Sequence, residues 1–112
     1  MSEELSCMYK NIDKIEIPLQ FEWDERKRLV NLEKHGIDFL DVHSVFEGYC
    51  ILTSRDFDGE LRWKAVGTLG TKEIALIFTI RGRFTRFISA RRARQNERKE
   101  YYTRHLGRGE IH

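Results

Sequence analysis

Three short stretches hold the residue types that phosphoryl chemistry needs. "EKHG" ends on His35 and Gly36, "GELRW" carries Glu60 and Arg62, and "RFISARRAR" supplies Arg86, Arg91, Arg92 and Arg94. A guanidinium offers several N–H donors in a fixed fork and stays charged at physiological pH, so it suits bidentate phosphate binding and not proton transfer. Stabilising charge on phosphate oxygens carries much of a phosphoryl reaction, and a histidine or carboxylate can move the protons. Other chemistries lack their signatures: there is no glycine-rich phosphate loop, dinucleotide fingerprint, Gly-x-Ser-x-Gly elbow or Cys/His zinc spacing. No metal and no cofactor is therefore expected.

Each candidate has an ordinary structural alternative. Arg62 stands beside Lys64 on the strand face opposite Trp63, with Glu60 two residues earlier on the same side. That is either a phosphate ligand prepositioned by a carboxylate or an exposed ion pair worth about 0–1 kcal/mol. His35 closes a helix just before a glycine, where it serves as a cation against the helix dipole or as a general acid or base. Arg91 falls where a strand hands over to a helix, a place from which a rigid scaffold can aim a side chain. Of Tyr101 and Tyr102, one is expected to pack on the sheet; the other is free to stack on a base, worth about 1–3 kcal/mol. His43 reads as structural or exposed, and His105 and His112 lie near a fraying end.

The net charge of +2 conceals an asymmetry. Residues 1–80 carry 10 Lys/Arg against 15 Asp/Glu, whereas residues 81–112 carry 10 against 3. A concentrated positive field suits nucleic acid, whose phosphates release counterions when neutralised, and it equally suits an acidic protein. The chain of 112 residues is 40% hydrophobic, enough for one modest core. Cys7 and Cys50 are far apart and no secretory leader precedes them, which predicts a reducing cytoplasm. No apolar run reaches the roughly 18 residues of a membrane helix.

The elements that must position these residues are legible as periodicities. Residues 1–18 read as a weakly ordered leader, although Ile15 and Ile17 alternate as a short edge strand would. In "LQFEWD", Leu19, Phe21 and Trp23 share one strand face. Asp24 is placed to N-cap a helix over "ERKRLVNLEKH" that stops at Gly36, with Leu29 and Leu32 as its narrow apolar stripe. A second helix is expected over "IDFLDVHSVFE", with Asp38 as N-cap and Ile37 closing over Val42. From Tyr49 the period becomes two, in "YCILTS", "LRWKAVGTLG", "IALIFTIRG" and "FTRFISAR", the third being apolar enough for the middle of a sheet. In the last, Thr85, Phe87, Ser89 and Arg91 are expected to alternate with Arg86, Ile88 and Ala90. A polar, basic helix from about Arg92 to His105 follows, offering little apolar surface for docking. The order predicts an α+β fold: two N-terminal helices on one face of an antiparallel sheet of about four strands, plus the C-terminal basic helix. One domain over residues 19–107 and a tail over 108–112 complete this reading.

In order and spacing, "FEWDERKRLVNLEKHGIDFLDVHSVFE", "GELRWKAVG" and "RFISARRARQNERKEYY" resemble the BrnT-type toxins of bacterial type II toxin–antitoxin systems, in the wider RelE/ParE group. The resemblance covers about residues 20 to 102. It implies a small RelE-like ribonuclease, cytoplasmic, neutralised by a BrnA-type antitoxin through which alone operator DNA would be bound. Carried over to this chain, it points to Lys34 and His35, to Glu60 and Arg62, and to Arg86, Ser89 and Arg91. A histidine found on the third strand of some members is replaced here by the "TIRG" stretch, which leaves proton transfer open between His35 and Glu60. The resulting expectation is a metal-independent endoribonuclease with His35, Glu60, Arg62 and Arg91 at the reacting phosphate. Lys34, Lys64, Arg86, Ser89, Arg92 and Tyr102 would hold RNA, and Arg94, Arg98, Tyr101 and Arg104 would meet the antitoxin. The alternative is a non-catalytic module that binds nucleic acid or docks a partner.

Overall fold

The computed structural model describes residues 9–13 and 15–109, with the side chains of 107–109 left aside. Cys7, His112 and the rest of the leader before Tyr9 lie outside the described residues. The elements are β1 (Tyr9–Ile12), β2 (Ile15–Pro18), β3 (Phe21–Glu22), α1 (Glu25–His35), a 3₁₀ helix (Val42–Glu47), β4 (Ile51–Phe57), β5 (Glu60–Leu69), β6 (Lys72–Arg81), β7 (Phe84–Arg92) and α2 (Gln95–Gly109). β1 and β2 pair as a separate hairpin, and the other strands form a sheet in the order β3-β7-β6-β5-β4. β2 is the short strand that the alternation of Ile15 and Ile17 predicts, and Ile17 is fully buried. β6 is the central strand, as its apolar run predicts, with Ile74, Ala75, Leu76, Phe78 and Thr79 all buried.

Local signals place α1. The Asp24 carboxylate accepts from the backbone N–H groups of Arg26 and Lys27, and Gly36 closes the helix at φ 72°, donating its N–H to the Leu32 carbonyl. The stripe expected to be buried is not: Leu29 is 51% exposed and Leu32 36%, while Asn31 is 6% exposed. The reason is that α1 covers a strand edge. β3 pairs only with Thr85 and Arg86, leaving the outer edge of β7 open beyond them. There the Asn31 amide accepts from Ala90 N–H at 3.0 Å and donates to the Ala90 carbonyl at 2.9 Å and to the Ile37 carbonyl at 3.0 Å. One side chain thus supplies the bonds a further strand would make, which answers the edge problem that unpaired strands pose.

Four expectations need correction. The second N-terminal helix is a 3₁₀ turn of six residues, not an α-helix, and Asp38 does not cap it. Asp38 accepts from Leu40 N–H and from Arg28, while Phe39, Val42 and Val45 recur every three residues, the repeat of a 3₁₀ and not an α-helix. The sheet has five strands instead of about four, and it is mixed, because β3 runs parallel to β7. Its two faces are both covered. On one, the 3₁₀ helix and β2 bury Ala65, Ile74, Leu76, Phe78, Phe87 and Ala90; on the other, Ala93 and Tyr101 close over Ile51, Val66 and Ala75. The first contact is tight at Gly67, where any Cβ would stand 3.0 Å from a Val45 methyl.

The fourth correction concerns β7. Its register against β6 steps from Ile77↔Ser89 to Phe78↔Phe87, so Ile88 is an extra residue in a β-bulge. The expected strict alternation breaks there: Phe87 and Ala90 enter the same core, and Arg86 and Arg91 come to one face of the sheet, that of α2.

Candidate functional site

The face that carries α2 is only half covered by it. Register gives its rows, since residues directly opposite in an antiparallel pair share a face. Furthest from α2, Phe57 faces Glu60 across β4–β5 and Arg81 faces Phe84 across β6–β7. The next row holds Arg55 opposite Arg62, and Thr79 opposite Arg86; then come Thr53 opposite Lys64, and Ile77 opposite Ser89. α2 begins where Val66, Ala75 and Arg91 lie.

Glu60 is the hub of the open end. Its carboxylate accepts from Arg62 at 3.2 Å and from Arg81 at 3.3 Å, so it joins β5 to β6 and fixes two guanidiniums side by side. Hydrogen bonds from Arg81 and then Arg62 hold its pKa below the ordinary glutamate value, so it is ionised at neutral pH and can accept a proton. The Arg62 and Arg55 guanidiniums lie over the Phe57 ring, at 5.1 and 5.4 Å from its centroid. Arg86 pairs with Glu22 at 3.4 Å.

A second cluster sits under the start of α2. Glu97, 5% exposed, accepts from both terminal nitrogens of Arg91 at 2.9 and 3.0 Å, from Lys64 Nζ at 2.8 Å and from Arg94 N–H at 2.8 Å. The Arg91 guanidinium, first among its partners, holds the Glu97 carboxyl far below the usual range, and the pKa of Arg91 is raised in turn. Arg91 and Lys64, both expected at a phosphate, are thus engaged by one carboxylate of the chain itself. Through them the polar helix docks despite its sparse apolar surface, helped by Tyr101, which is buried and donates to the Tyr49 carbonyl at 3.3 Å.

Lys34, His35 and Ser89 meet elsewhere, in a groove of about 280 Å³ between α1 and β7 that Arg26, Lys27 and Ile88 also line. The structure therefore brings Glu60 to Arg62, Lys64 to Arg91, and His35 to Lys34 and Ser89, as three neighbouring groups. Arg92 is exposed and its carbonyl accepts from Arg91. The Tyr102 hydroxyl donates to Glu73, Arg98 to the Ala93 carbonyl at 2.6 Å, and Arg104 to Glu100 at 3.4 Å. The Arg94 side chain is exposed. Sequence reasoning passed over Arg81 and Glu97. Arg81, the third residue of "TIRG", lies two residues beyond Thr79 on the same strand face, a placement visible in the period of two. Glu97 carried no comparable signal.

A family model described as the ribonuclease toxin BrnT of a type II toxin–antitoxin system matches residues 23–97. No curated protein matches the chain. The matched segment runs from Trp23 to Glu97, so it holds all three groups and ends on the carboxylate that docks α2.

Proposed function

Because the chain belongs to the BrnT family of ribonuclease toxins, whose type II systems pair each toxin with an antitoxin, we propose that its open sheet face cleaves RNA by attack of the substrate's own 2′-hydroxyl. The observation that carries the reading is Glu60 ionised between two guanidiniums on an accessible face. Glu60 takes the proton from the 2′-hydroxyl as its oxygen attacks the adjacent phosphorus. Arg62 and Arg81 donate to the non-bridging oxygens, where charge develops. The 5′-oxygen departs and is protonated by solvent, since His35 stands with Lys34 and Ser89 in the flanking groove. Those three residues, with Arg86, hold the strand to either side. Arg91 and Lys64 act through Glu97 as positioning residues that fix α2 against β5 and β7. No metal enters the reaction. The antitoxin is of BrnA type, carries the operator-binding part, and meets the start of α2 at Arg94 and Arg98 and its later turns at Arg104.

The test is the chemistry of the cut ends. RNA incubated with the purified protein in chelator should yield 2′,3′-cyclic phosphate and 5′-hydroxyl termini. RNA that is bound and left intact would establish the non-catalytic alternative, and 5′-phosphate ends or a requirement for divalent metal would exclude this mechanism.

A pH prediction follows from Glu60. A base must be ionised to act, and the two arginines depress this one, so kcat/KM should stay level down to the ordinary glutamate value of about 4.3 and fall only below it. Arg81→Ala removes the larger of the two depressing bonds and should move that acid limb upward. Rates measured from neutral pH down to about pH 4, with circular dichroism as a check on folding, decide it. A midpoint above pH 6 would assign the proton transfer to another group.

A further inference from the structure

Two aromatic side chains stand exposed on the proposed RNA face with no core to fill. Phe57 is 43% exposed and Phe84 is 41% exposed. They occupy opposite ends of one row: Phe57 on β4 faces Glu60, Arg81 on β6 faces Phe84 on β7, and the Glu60–Arg81 ion pair joins the two halves. Three strand spacings separate them, about 14 Å at about 4.8 Å each. Between them lie the carboxylate and guanidiniums assigned above to the reacting phosphate.

Exposed phenylalanines at such a position invite aggregation unless a partner covers them, and the chemistry of this row selects the partner. Arg55, Arg62, Arg81 and Arg86 share the face within two adjacent rows, opposed by Glu22 and Glu60. An anion whose charge repeats along a chain, with flat apolar groups between the charges, complements both features. Sheet faces bearing aromatic side chains hold two or three unpaired bases this way, and arginine planes add to the stack. A duplex keeps its bases stacked on one another and leaves no face for either ring. The two guanidiniums over Phe57 already form a layer onto which a base can extend.

Resting on the reading of this face as the RNA-cleaving site, we infer that Phe57 and Phe84 are base-stacking residues that flank the scissile phosphate and restrict the substrate to single-stranded RNA. They bind bases on either side of the cut and take no part in proton transfer. Nothing in this selects one base over another, since every base offers a π face.

Binding separates this inference from the cleavage mechanism. The probe is a short single-stranded RNA with 2′-O-methyl groups throughout, which cannot be cut by 2′-hydroxyl attack, compared with the same strand made abasic and with its duplex. Wild-type protein should prefer the base-bearing single strand to both. Phe57→Ala and Phe84→Ala should each weaken it about tenfold and leave abasic binding unchanged. Phe57→Leu, which keeps an apolar side chain there and removes the π face, should lose as much as Phe57→Ala. The inference is overturned if wild type binds abasic strand or duplex equally well, if the variants lose abasic binding to the same extent, if Leu restores affinity, or if the variants bind RNA normally and fail only to bind the antitoxin. None of these results depends on whether the enzyme cuts, and the end chemistry of the cut does not depend on them.

Discussion

Replacing Arg62 by alanine should lower RNA cleavage about 10²–10³-fold, the loss typical of removing one preorganised donor from developing charge. Folding stability should barely move. Arg62 is 34% exposed at its side chain, its partner Glu60 keeps Arg81, and an ion pair of that exposure is worth about 0–1 kcal/mol. The effect should fall mainly on kcat, because the guanidinium bonds strengthen as charge builds on the phosphate. Arg62→Lys should recover only part of the rate: an ammonium keeps the charge but lacks the fork that addresses two oxygens, or one phosphate oxygen and Glu60, at once. In cells, the alanine variant expressed without its antitoxin should permit growth that wild type arrests. Full cleavage by Arg62→Ala, at unchanged stability, would remove this arginine from the reaction.

The largest stability effect should come from Glu97. Glu97→Ala strands Arg91 and Lys64 beneath α2, and breaking a buried ion pair from one side costs about 3–5 kcal/mol. The lower end applies here, because the Arg91 and Lys64 side chains retain 20% and 33% exposure. A loss of about 3 kcal/mol should lower the melting temperature by more than about 10 °C in a domain of this size. Chemical denaturation checks it; a change under about 0.5 kcal/mol, the ordinary surface range, would show that the triad does not hold the helix. Acid should have a related effect. The folded-state pKa of Glu97 lies below its unfolded value, so its stabilisation is complete above about pH 4.3 and is withdrawn as pH falls from there toward the folded value. The alanine variant should lack that part of the acid sensitivity.

What sequence made legible follows the range of the interactions. α1 was readable from Asp24 to Gly36 because both caps act within a turn, and β6 because burial on both faces leaves a continuous apolar run. The 3₁₀ turn was readable in principle: Phe39, Val42 and Val45 step by three, but Phe46 also fits a helical spacing and the α reading absorbed it. Asn31 was not, since its partner is the backbone of Ala90 and any residue at position 90 would present the same groups. Glu97 sat in a helix dense in charge, where a carboxylate is ordinarily matched to its neighbours on the helix, as Glu100 is to Arg104, while its actual partners Lys64 and Arg91 lie on two strands. The bulge at Ile88 carries no glycine or proline to mark it, yet it decides that Arg86 and Arg91 share a face. The sequence thus proposed candidate residues by type, but their grouping into three clusters depended on register and on long-range bonds.

The edge bond of Asn31 also sets an order of events during synthesis. β4 to β7 are consecutive antiparallel neighbours and can pair as each leaves the ribosome, but Asn31 and Ala90 stand 59 residues apart. At about 5–20 residues per second, α1 waits roughly 3–12 s for the edge it will cover. Lys34 and His35 travel on that helix, and β3 must likewise wait for β7 before Glu22 can pair with Arg86. The newborn chain therefore passes through an interval in which β4 to β6 exist and the groove between α1 and β7 does not, so that groove forms only once β7, the last strand, has been made.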